Sequence, residues 1–385
     1  MSANDRTLTV SLVESISELP GEQWDGLDHG RSPFTRYGFF EAMEYSKSIG
    51  PKTGWQPLFV LARDGATNEL LGAIPAFIKT HSYGEYIFDW EWARGAQAAG
   101  IEYYPKLLVG APYTPAVGHR LLMSEAHFEN AGKLLRLFCT QHRLSSVHIL
   151  HCLEQESQAL NKVGFISRET HQYHFQNDAY DNFDAFLASL KSRHRKQIQK
   201  ERARAQASPL SLDLVRGDEL SPQDWRRVYQ LYENTYQRKW GNPYLTSAFF
   251  GEMPQAVKES ILLATARDET HEIQAMSLSF ESDTHLYGRY WGCAGPHDAI
   301  HFEFCYYRLL EYAIENKKKV FEAGAQGEHK IKRGFVPVTI HSAHAFTDER
   351  LQTAIERFCR SEATQADRMK DFLGKMAPFK GVPSN

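Results

Sequence analysis

The stretch GFISRETHQYH (residues 164–174) returns later in the chain as GFVPVTIHSAH (residues 334–344), with the same Gly-Phe pair and the same two histidine positions. Other short matches surround it and keep one constant order. They are Leu12-Val13 and Trp24 with Leu214-Val215 and Trp225, Tyr83-Gly84-x-Tyr86 with Tyr287-Gly288-x-Tyr290, and His127-Phe128-Glu129 with His301-Phe302-Glu303. Because several matches in one order are hard to obtain by chance, the sequence predicts an internal duplication.

Length and composition agree with two folded domains. A chain of 385 residues is too long for one ordinary core, and 42% hydrophobic residues are ample for burial. The net charge of −3 argues against a general polyanion binder, so any basic function has to be local. The five scattered cysteines favour neither a disulfide framework nor a metal site. We expect a cytoplasmic protein, since no signal peptide or membrane-spanning run is present.

Hydrophobic periodicity predicts the order β-α-α-β-β-β-α-β-α-β in the first copy, and the second copy repeats it over residues 211–346. The predicted strands are 8–13, 57–62, 70–79, 83–90, 146–152 and 166–175, and the helices are 20–27, 37–46, 128–142 and 154–163. This order predicts an α/β fold with a mixed sheet, in which ligands bind where neighbouring strands diverge. The predicted segments are a first domain at 1–176, a basic helical linker at 177–208, a second domain at 209–350, and a C-terminal helix and tail at 351–385.

The two copies differ most just before the shared Gly-Phe pair. The first copy reads QALNKVGF, whereas the second reads EHKIKRGF and follows a glycine-rich stretch. Glycines permit close approach to a ligand, and basic residues at a helix start suit an anionic group. The candidate site residues here are Gln326, Glu328, His329, Lys330, Lys332 and Arg333. The alternative interpretation is a solvated, charged helix start.

A second difference concerns the predicted central strand, which reads YGEYIFDW in one copy and YGRYWGC in the other. Arg289 stands where the first copy has Glu85, and strict alternation would put it on one face with Tyr287 and Trp291. An arginine among aromatic rings can hold an oxyanion or a phosphate, although an ordinary exposed strand residue gives the same pattern. Glu303, His341 and His344 have counterparts in the other copy, so we predict a helix cap for Glu303 and strand packing for the two histidines.

The only strongly basic segment is KSRHRKQIQKERARAQ at residues 191–206. Arg193, Lys196, Lys200 and Arg204 lie at i, i+3, i+7 and i+11, which makes one continuous stripe on a helix. Such a stripe binds phosphates by charge neutralisation. A solvated helix is the alternative.

Several long motifs resemble the FemAB-like branch of the GNAT acyltransferase superfamily. They are SPFTRYGFFEAME, SYGEYIFDW, YYPKL, PYTPAVG, YGRYWGC, HFEFCYY and AGAQGEHKIKRGF. The resemblance implies two tandem GNAT-like domains and transfer of an acyl or aminoacyl group to an amine. In Fem proteins the donor is an aminoacyl-tRNA and the acceptor is a phosphate-bearing cell-wall precursor. The loop with which GNAT enzymes hold the pyrophosphate of acetyl-CoA follows neither Trp90 nor Trp291.

We therefore expect an acyltransferase whose active groove lies in the second unit. Arg289, Lys330, Lys332 and Arg333 are expected to bind an anion or oxyanion, and Glu328 or His329 to act as general base. Tyr287, Trp291 and Gln326 would contact substrate. We expect no tightly bound cofactor, an aminoacyl-tRNA or acyl-CoA donor, and a small-molecule or peptide amine acceptor. The alternatives are an acetyl-CoA-dependent N-acetyltransferase and a non-catalytic module that binds tRNA or another polyanion.

Overall fold

A computed structural model describes residues 8–238, 241–295, 298–325 and 327–380. The chain forms two compact units, each of which contains two separate segments. Unit 1 comprises Met1–Thr170 and Thr339–Ala366, and unit 2 comprises His171–Val338 and Asp367–Asn385. The segment predicted as a linker between the domains, residues 177–208, lies within unit 2.

Unit 1 is a mixed sheet with helices, as the hydrophobic periodicity predicts. Its strands are β1 (Leu8–Val13), β2 (Trp55–Asp64), β3 (Leu70–Lys79), β4 (Lys106–Val109), β5 (Ser146–Cys152) and the first part of β6 (Ile166–Gln176). Its helices are α1 (Gly21–Asp25), α2 (Tyr37–Tyr45), α3 (Trp90–Ala98), α4 (Phe128–Gln141) and α5 (Glu154–Asn161). The strand pairs are antiparallel from β1 to β4, and β4 and β5 are parallel.

Unit 2 repeats this plan. Its helices are α6 (Phe183–Ser189), α7 (Ser192–Gln206), α8 (Pro222–Arg238), α9 (Ser247–Glu252), α10 (Gln255–Glu259), α11 (Asp298–Phe302) and α12 (Arg308–Glu315). Its strands are β7 (Ser211–Arg216), β8 (Ile261–Arg267), β9 (Ile273–Glu281), β10 (His285–Cys293) and β11 (Val320–Glu322). The parallel pair here is β10 with β11. Between α11 and α12 the chain forms a π-helix, Glu303–Tyr307.

The last strand of each repeat pairs with a strand of the other unit's sheet region, as part of that unit. In unit 1, β5 pairs with the second repeat's strand β12 (Val336–Phe346), through residues 341–346. In unit 2, β11 pairs with residues 174–176 of β6, which end the first repeat. The beginning of the last helix, α13 (Glu349–Lys375), then packs in unit 1 through Leu351, Ile355 and Cys359. The folded units are therefore not the two contiguous repeats of the sequence.

One predicted strand is wrong. Residues 83–90 form turns and bends that lead into α3, and the strand equivalent to β10 is β4. Glu85 is buried in this loop, with its carboxylate 2.8 Å from Lys106 Nζ. Arg289 therefore does not occupy the place of Glu85, and the Tyr-Gly-x-Tyr match has no structural counterpart.

The two units differ where their parallel strands diverge. In unit 1 the chain after β4 returns into this region, and Gly118 N–H and Arg120 Nε donate to the carbonyls of His151 and Leu150 on β5. The buried Glu156 carboxylate accepts from the backbone N–H groups of Arg120 and Leu121 at 2.8 and 2.7 Å. This loop occupies in unit 1 the position at which ligands bind in such folds.

Unit 1 also contains a buried histidine pair. Nδ1 of His148 on β5 lies 2.7 Å from Nδ1 of His344 on β12, and both rings also bond a serine hydroxyl. Burial and nearby positive charge, from Lys106 and Arg168 around His148, hold the pKa of each histidine well below 6.5. The pair is thus neutral in the folded protein. His344 is a packed and hydrogen-bonded strand residue.

We expect acid to destabilise unit 1 through this pair. The unfolded chain takes up a proton on each histidine near pH 6.5, whereas the folded protein does not, so stability falls as the pH drops below 6.5. The expected slope is about 1.4 kcal/mol per pH unit for each histidine. Urea unfolding between pH 5 and 7.5 measures it, and His344→Gln should flatten the slope. Exposed His142→Gln is the control; equal slopes in all three proteins would contradict the assignment.

No helix among the described residues is both long enough and apolar enough to cross a membrane.

Candidate active site

In unit 2 the site is built where β10 and β11 diverge. The two strands pair only through His285–Tyr287 and Val320–Glu322, after which β10 continues along β9 alone. Beyond β11 the chain turns at Gly324, whose φ of +81° suits glycine. It then enters a short 3₁₀-helix, Glu328–Arg333, that we call the Lys330 helix.

Lys330 is the central residue of this site. Its side chain is only 2% exposed, and Nζ donates to the Gly324 carbonyl oxygen at 2.7 Å. Burial lowers the pKa of Lys330 to about 8, against a small opposing effect of Cys305. No carboxylate lies within 4 Å of this ammonium in the described part of the chain. A buried, uncompensated lysine is costly for folding and is typical of functional positions.

His329 lies next to Lys330 and pairs with a tyrosine. Its Nε2 is 2.8 Å from the hydroxyl of Tyr306, which belongs to the π-helix. Burial, Arg333 and Lys330 all lower the pKa of His329. The pKa of Tyr306 is raised well above 10, mainly by burial, so this tyrosine keeps its proton. The pair therefore offers a neutral imidazole beside a buried hydroxyl.

Arg333, predicted to bind substrate anions, has internal partners instead. Its Nε donates to the Tyr307 hydroxyl at 2.8 Å, and NH2 lies 2.9 Å from the carboxylate of Glu201 on α7. NH1 donates to the His329 carbonyl, and the guanidinium lies 3.8 Å from the centre of the Phe302 ring. Arg333 is 4% exposed. It positions the Lys330 helix against α7 and the π-helix.

The predicted cap, Glu303, is an ion-pair partner of α7. Arg202 donates to Glu303 and to Glu311, with NH2 to oxygen distances of 3.1 and 2.6 Å. Burial raises the pKa of Glu303, and Arg202 acts against this rise. The role of Glu303 is thus different from that of Glu129, whose side chain is 44% exposed and 3.5 Å from Lys162.

Helix α7 has two different faces. Ile198, Glu201, Arg202 and Ala205, at i, i+3, i+4 and i+7, share one face. Ile198 and Ala205 are buried there, and Glu201 and Arg202 bind Arg333 and Glu303. The predicted basic stripe, Arg193, Lys196, Lys200 and Arg204, is exposed on the opposite side. Within the described ranges, none of these four side chains takes part in an ion pair. The stripe is therefore available to a negatively charged partner.

The expected grouping of Arg289 with Tyr287 and Trp291 is not found. A bulge at Arg289 interrupts the alternation of β10, and Tyr287 pairs with Phe280 whereas Trp291 pairs with Ser277. Since positions 280 and 277 lie on opposite faces of β9, Tyr287 and Trp291 do too. Arg289 is half-buried, and its guanidinium lies 5.2 Å from the centre of the Tyr290 ring.

The remaining predicted residues have less defined surroundings. Glu328 and Lys332 are exposed on the Lys330 helix. Gln326 lies outside the residues that the structure describes. Sequence reasoning missed Glu201, Tyr306 and Tyr307, although the apolar spacing within HFEFCYY and the single acid in the basic segment were visible signals.

The family model described as FemAB-like, peptidoglycan biosynthesis/recognition, matches residues 15–381. A comparison with curated proteins finds no match. FemX is similar to this chain with a TM-score of 0.53 at 13% identity, over 88% of this chain and 98% of FemX. A conserved protein of unknown function from Bacteroides thetaiotaomicron has a TM-score of 0.51 at 10% identity, over 88% of this chain and 100% of its own. The family match over nearly the whole sequence shows that this chain belongs to the FemAB-like family.

Proposed function

We propose that unit 2 transfers an acyl or aminoacyl group from an activated ester or thioester to an amine. The observation that carries the proposal is the buried Lys330 ammonium, which lies where the parallel strands diverge. Among the described residues, its only hydrogen-bond acceptor is a backbone carbonyl. An ammonium there can donate to the carbonyl oxygen of a bound donor in place of Gly324 O. Stabilising the developing oxyanion in this way is a large contribution to acyl-transfer catalysis.

The reaction forms a bond from nitrogen to carbon, breaks the bond from that carbon to the leaving oxygen or sulfur, and moves one proton from the nitrogen to the leaving group. The acceptor nitrogen bonds to the donor carbonyl carbon, and the resulting tetrahedral oxyanion accepts a hydrogen bond from Lys330 Nζ. When the carbonyl reforms, the bond to the leaving oxygen or sulfur breaks. His329 is suited to take the proton that the nitrogen loses, since its lowered pKa keeps it neutral at pH 7. With Nε2–H donated to the Tyr306 oxygen, Nδ1 is the accepting atom, and the proton then passes to the leaving group.

The exposed stripe on α7 supports a polyanionic donor. Arg202 and Glu201 fix α7 to the π-helix and to the Lys330 helix, so a donor held on the stripe is bound on an element attached to the site. An aminoacyl-tRNA supplies both the phosphates and the reactive ester. Family membership and its association with peptidoglycan support a peptide amine of the cell-wall type as acceptor.

The direct experiment offers the purified protein isotopically labelled aminoacyl-tRNAs or acetyl-CoA, together with an amine-bearing peptidoglycan peptide. We expect a new amide with the tRNA donors, detected by mass spectrometry. Acetyl transfer with sub-millimolar CoA binding would instead identify an acetyltransferase. Salt-dependent tRNA binding without product, and unchanged by Lys330→Met, would identify a non-catalytic binding module.

The stripe makes a separate prediction about tRNA affinity. Replacing Arg193, Lys196, Lys200 and Arg204 together by alanine removes up to four phosphate contacts. We expect the slope of log affinity against log salt to become shallower by about 3, because each contact contributes about 0.7–0.9. Filter binding between 50 and 300 mM KCl measures the slope. The control replaces the exposed Lys52, Arg94, Lys133 and Arg143 of unit 1; an equal effect there, or none in the stripe variant, would refute the assignment.

A further inference from the structure

A row of three side chains crosses unit 2 where β10 and β11 pair for the last time. Tyr287 of β10 stands opposite Glu322 of β11, and Glu322 stands opposite His174 of β6. Residues directly opposite each other on adjacent strands point to the same face of a sheet, so the three side chains are neighbours. They are 1, 6 and 6% exposed. This row, which we call the Glu322 row, therefore holds a buried carboxylate at the point where the strands diverge.

Unit 1 has a different row at the same positions. His344 is the repeat counterpart of His174, and it stands opposite His148 as His174 stands opposite Glu322. Leu108 in turn stands opposite His148. Because the neutral histidine pair packs well in unit 1, the fold does not require a charge at these positions. The carboxylate is thus specific to the unit that contains the candidate site.

His174 does not neutralise Glu322. Its Nε2 lies 3.2 Å from Gln172 Oε1 and 3.9 Å from Glu322 Oε2. Burial, with smaller contributions from the charges of Lys330 and His285, lowers the pKa of His174 to about 3. The ring is therefore uncharged at neutral pH, and it gives Glu322 a polar neighbour rather than a cation.

Glu322 is also close to Lys330 along the path of the chain. Gly324, whose carbonyl oxygen accepts from Lys330 Nζ, follows Glu322 by two residues, and two residues span at most about 7 Å. A molecule bound between the strands can therefore reach the carboxylate and the ammonium together. The proposed reaction needs both charges, because an alkylamine is positively charged at pH 7 whereas the donor carbonyl oxygen becomes negative.

We propose that Glu322 binds the ammonium group of the acceptor and takes one proton from it before the transfer. This inference rests on the function proposed above. One N–H bond of the ammonium breaks, its proton bonds to a carboxylate oxygen, and the electron pair stays on the nitrogen, which then attacks the donor carbonyl. The second proton passes to His329 as described, and Glu322 returns its own to water after the amide leaves. Because the carboxylate is buried, the acceptor that fits it is a primary amine at the end of an unbranched chain.

Two acceptors separate this role from a structural one in the transfer assay. A lysine-containing peptide carries a protonated amine at pH 7, whereas hydroxylamine is uncharged and needs no prior loss of a proton. Glu322→Gln should lower kcat/KM for the peptide by about 10²-fold or more and leave that for hydroxylamine unchanged. Between pH 6 and 7.5 the rate of the variant with the peptide should rise about tenfold per pH unit, with the fraction of neutral amine. The unmodified protein should show a flatter profile.

Glu322→His is the second variant, because unit 1 folds with a histidine at this position, and it should show the same effects with both acceptors. Glu315→Gln, exposed on α12, is the control and should change neither rate. An equal loss with both acceptors, or no loss with the peptide, would overturn the role of Glu322 and leave the proposed transferase intact. If the unmodified protein transfers to neither acceptor, the proposed function fails and this inference fails with it.

Discussion

Replacing Lys330 by methionine should strongly reduce acyl transfer while making the protein more stable. Methionine fills the site of the aliphatic chain but cannot donate to the carbonyl oxygen of the donor. Loss of one such hydrogen-bond donor lowers kcat by about 10²–10³-fold. Steady-state kinetics with the donor found by the transfer assay measures this change. Because the ammonium has to be protonated, the part of the rate that depends on Lys330 should also fall as the pH rises through about 8.

The gain in stability follows from the pKa of the same residue. The folded protein holds the Lys330 proton less tightly than the unfolded chain, with a pKa of about 8 against 10.5. Burying the charged Lys330 therefore lowers the free energy of unfolding. This loss is fully present at pH 7 and disappears as the pH rises from 8 to 10.5. Removing the charge should therefore raise the free energy of unfolding at pH 7 by roughly 3 kcal/mol, at 1.36 kcal/mol per pKa unit.

Lys319→Met is the control, because Lys319 is an exposed lysine of the same unit outside the candidate site. We expect neither its kcat nor its unfolding free energy to change appreciably. A Lys330→Met protein that retains full activity would exclude the catalytic role. Loss of activity together with loss of stability would show that Lys330 has a structural role instead.

Arg333→Ala should have the opposite effect on stability. It removes the cation that pairs with the half-buried Glu201 and takes a donor from Tyr307. Burial alone would raise the pKa of Glu201, but hydrogen bonds from Tyr307 and Gln197 and the charge of Arg333 lower it, so the carboxylate stays ionised. Leaving a fully buried charge without its partner costs about 3–5 kcal/mol, and the 19% exposure of the Glu201 side chain makes this an upper limit.

Chemical denaturation followed by near-UV circular dichroism measures this loss, since Tyr306 and Tyr307 are neighbours of the pair. The double variant Glu201→Gln/Arg333→Met should recover a large part of the stability, because it removes both charges together. If Arg333→Ala unfolds like the unmodified protein, the pair contributes nothing. The guanidinium would then be free to act on substrate, as the sequence alone indicates.

Local patterns predicted most of the fold. The alternation of residues 8–13 and the spacing of Phe39, Phe40 and Met43 each correspond to an observed element, β1 and α2. Residues 83–90 have the same apolar alternation but form a loop, because Glu85 and Asp89 turn inward to Lys106. That contact depends on a residue beyond the predicted strand, which periodicity does not detect.

The sequence can indicate the region of the candidate site, but not the partners of each residue in it. The divergence between EHKIKRGF and its counterpart predicts a site at residues 328–333, where the structure places the buried Lys330 and Arg333. Lys330 and Arg333 look equivalent there, since both are basic residues in one short helix. The Glu201 carboxylate makes them different, because it pairs with Arg333 and not with Lys330. Glu201 is 132 positions from Arg333 in the chain. Long-range partners of this kind decide which of two cations is neutralised, and only a folded structure supplies them.

The exchange of β6 and β12 has a consequence for how the protein is made. Unit 1 requires residues 339–366, so during synthesis the edge of β5 that faces away from β4 has no partner until residues 341–346 of β12 have left the ribosome. An unpaired strand edge exposed for that time is a site for aggregation and for pairing with another nascent chain. Folding of the first repeat is therefore limited by translation of the second, and a premature stop after residue 338 would leave neither repeat with a complete fold.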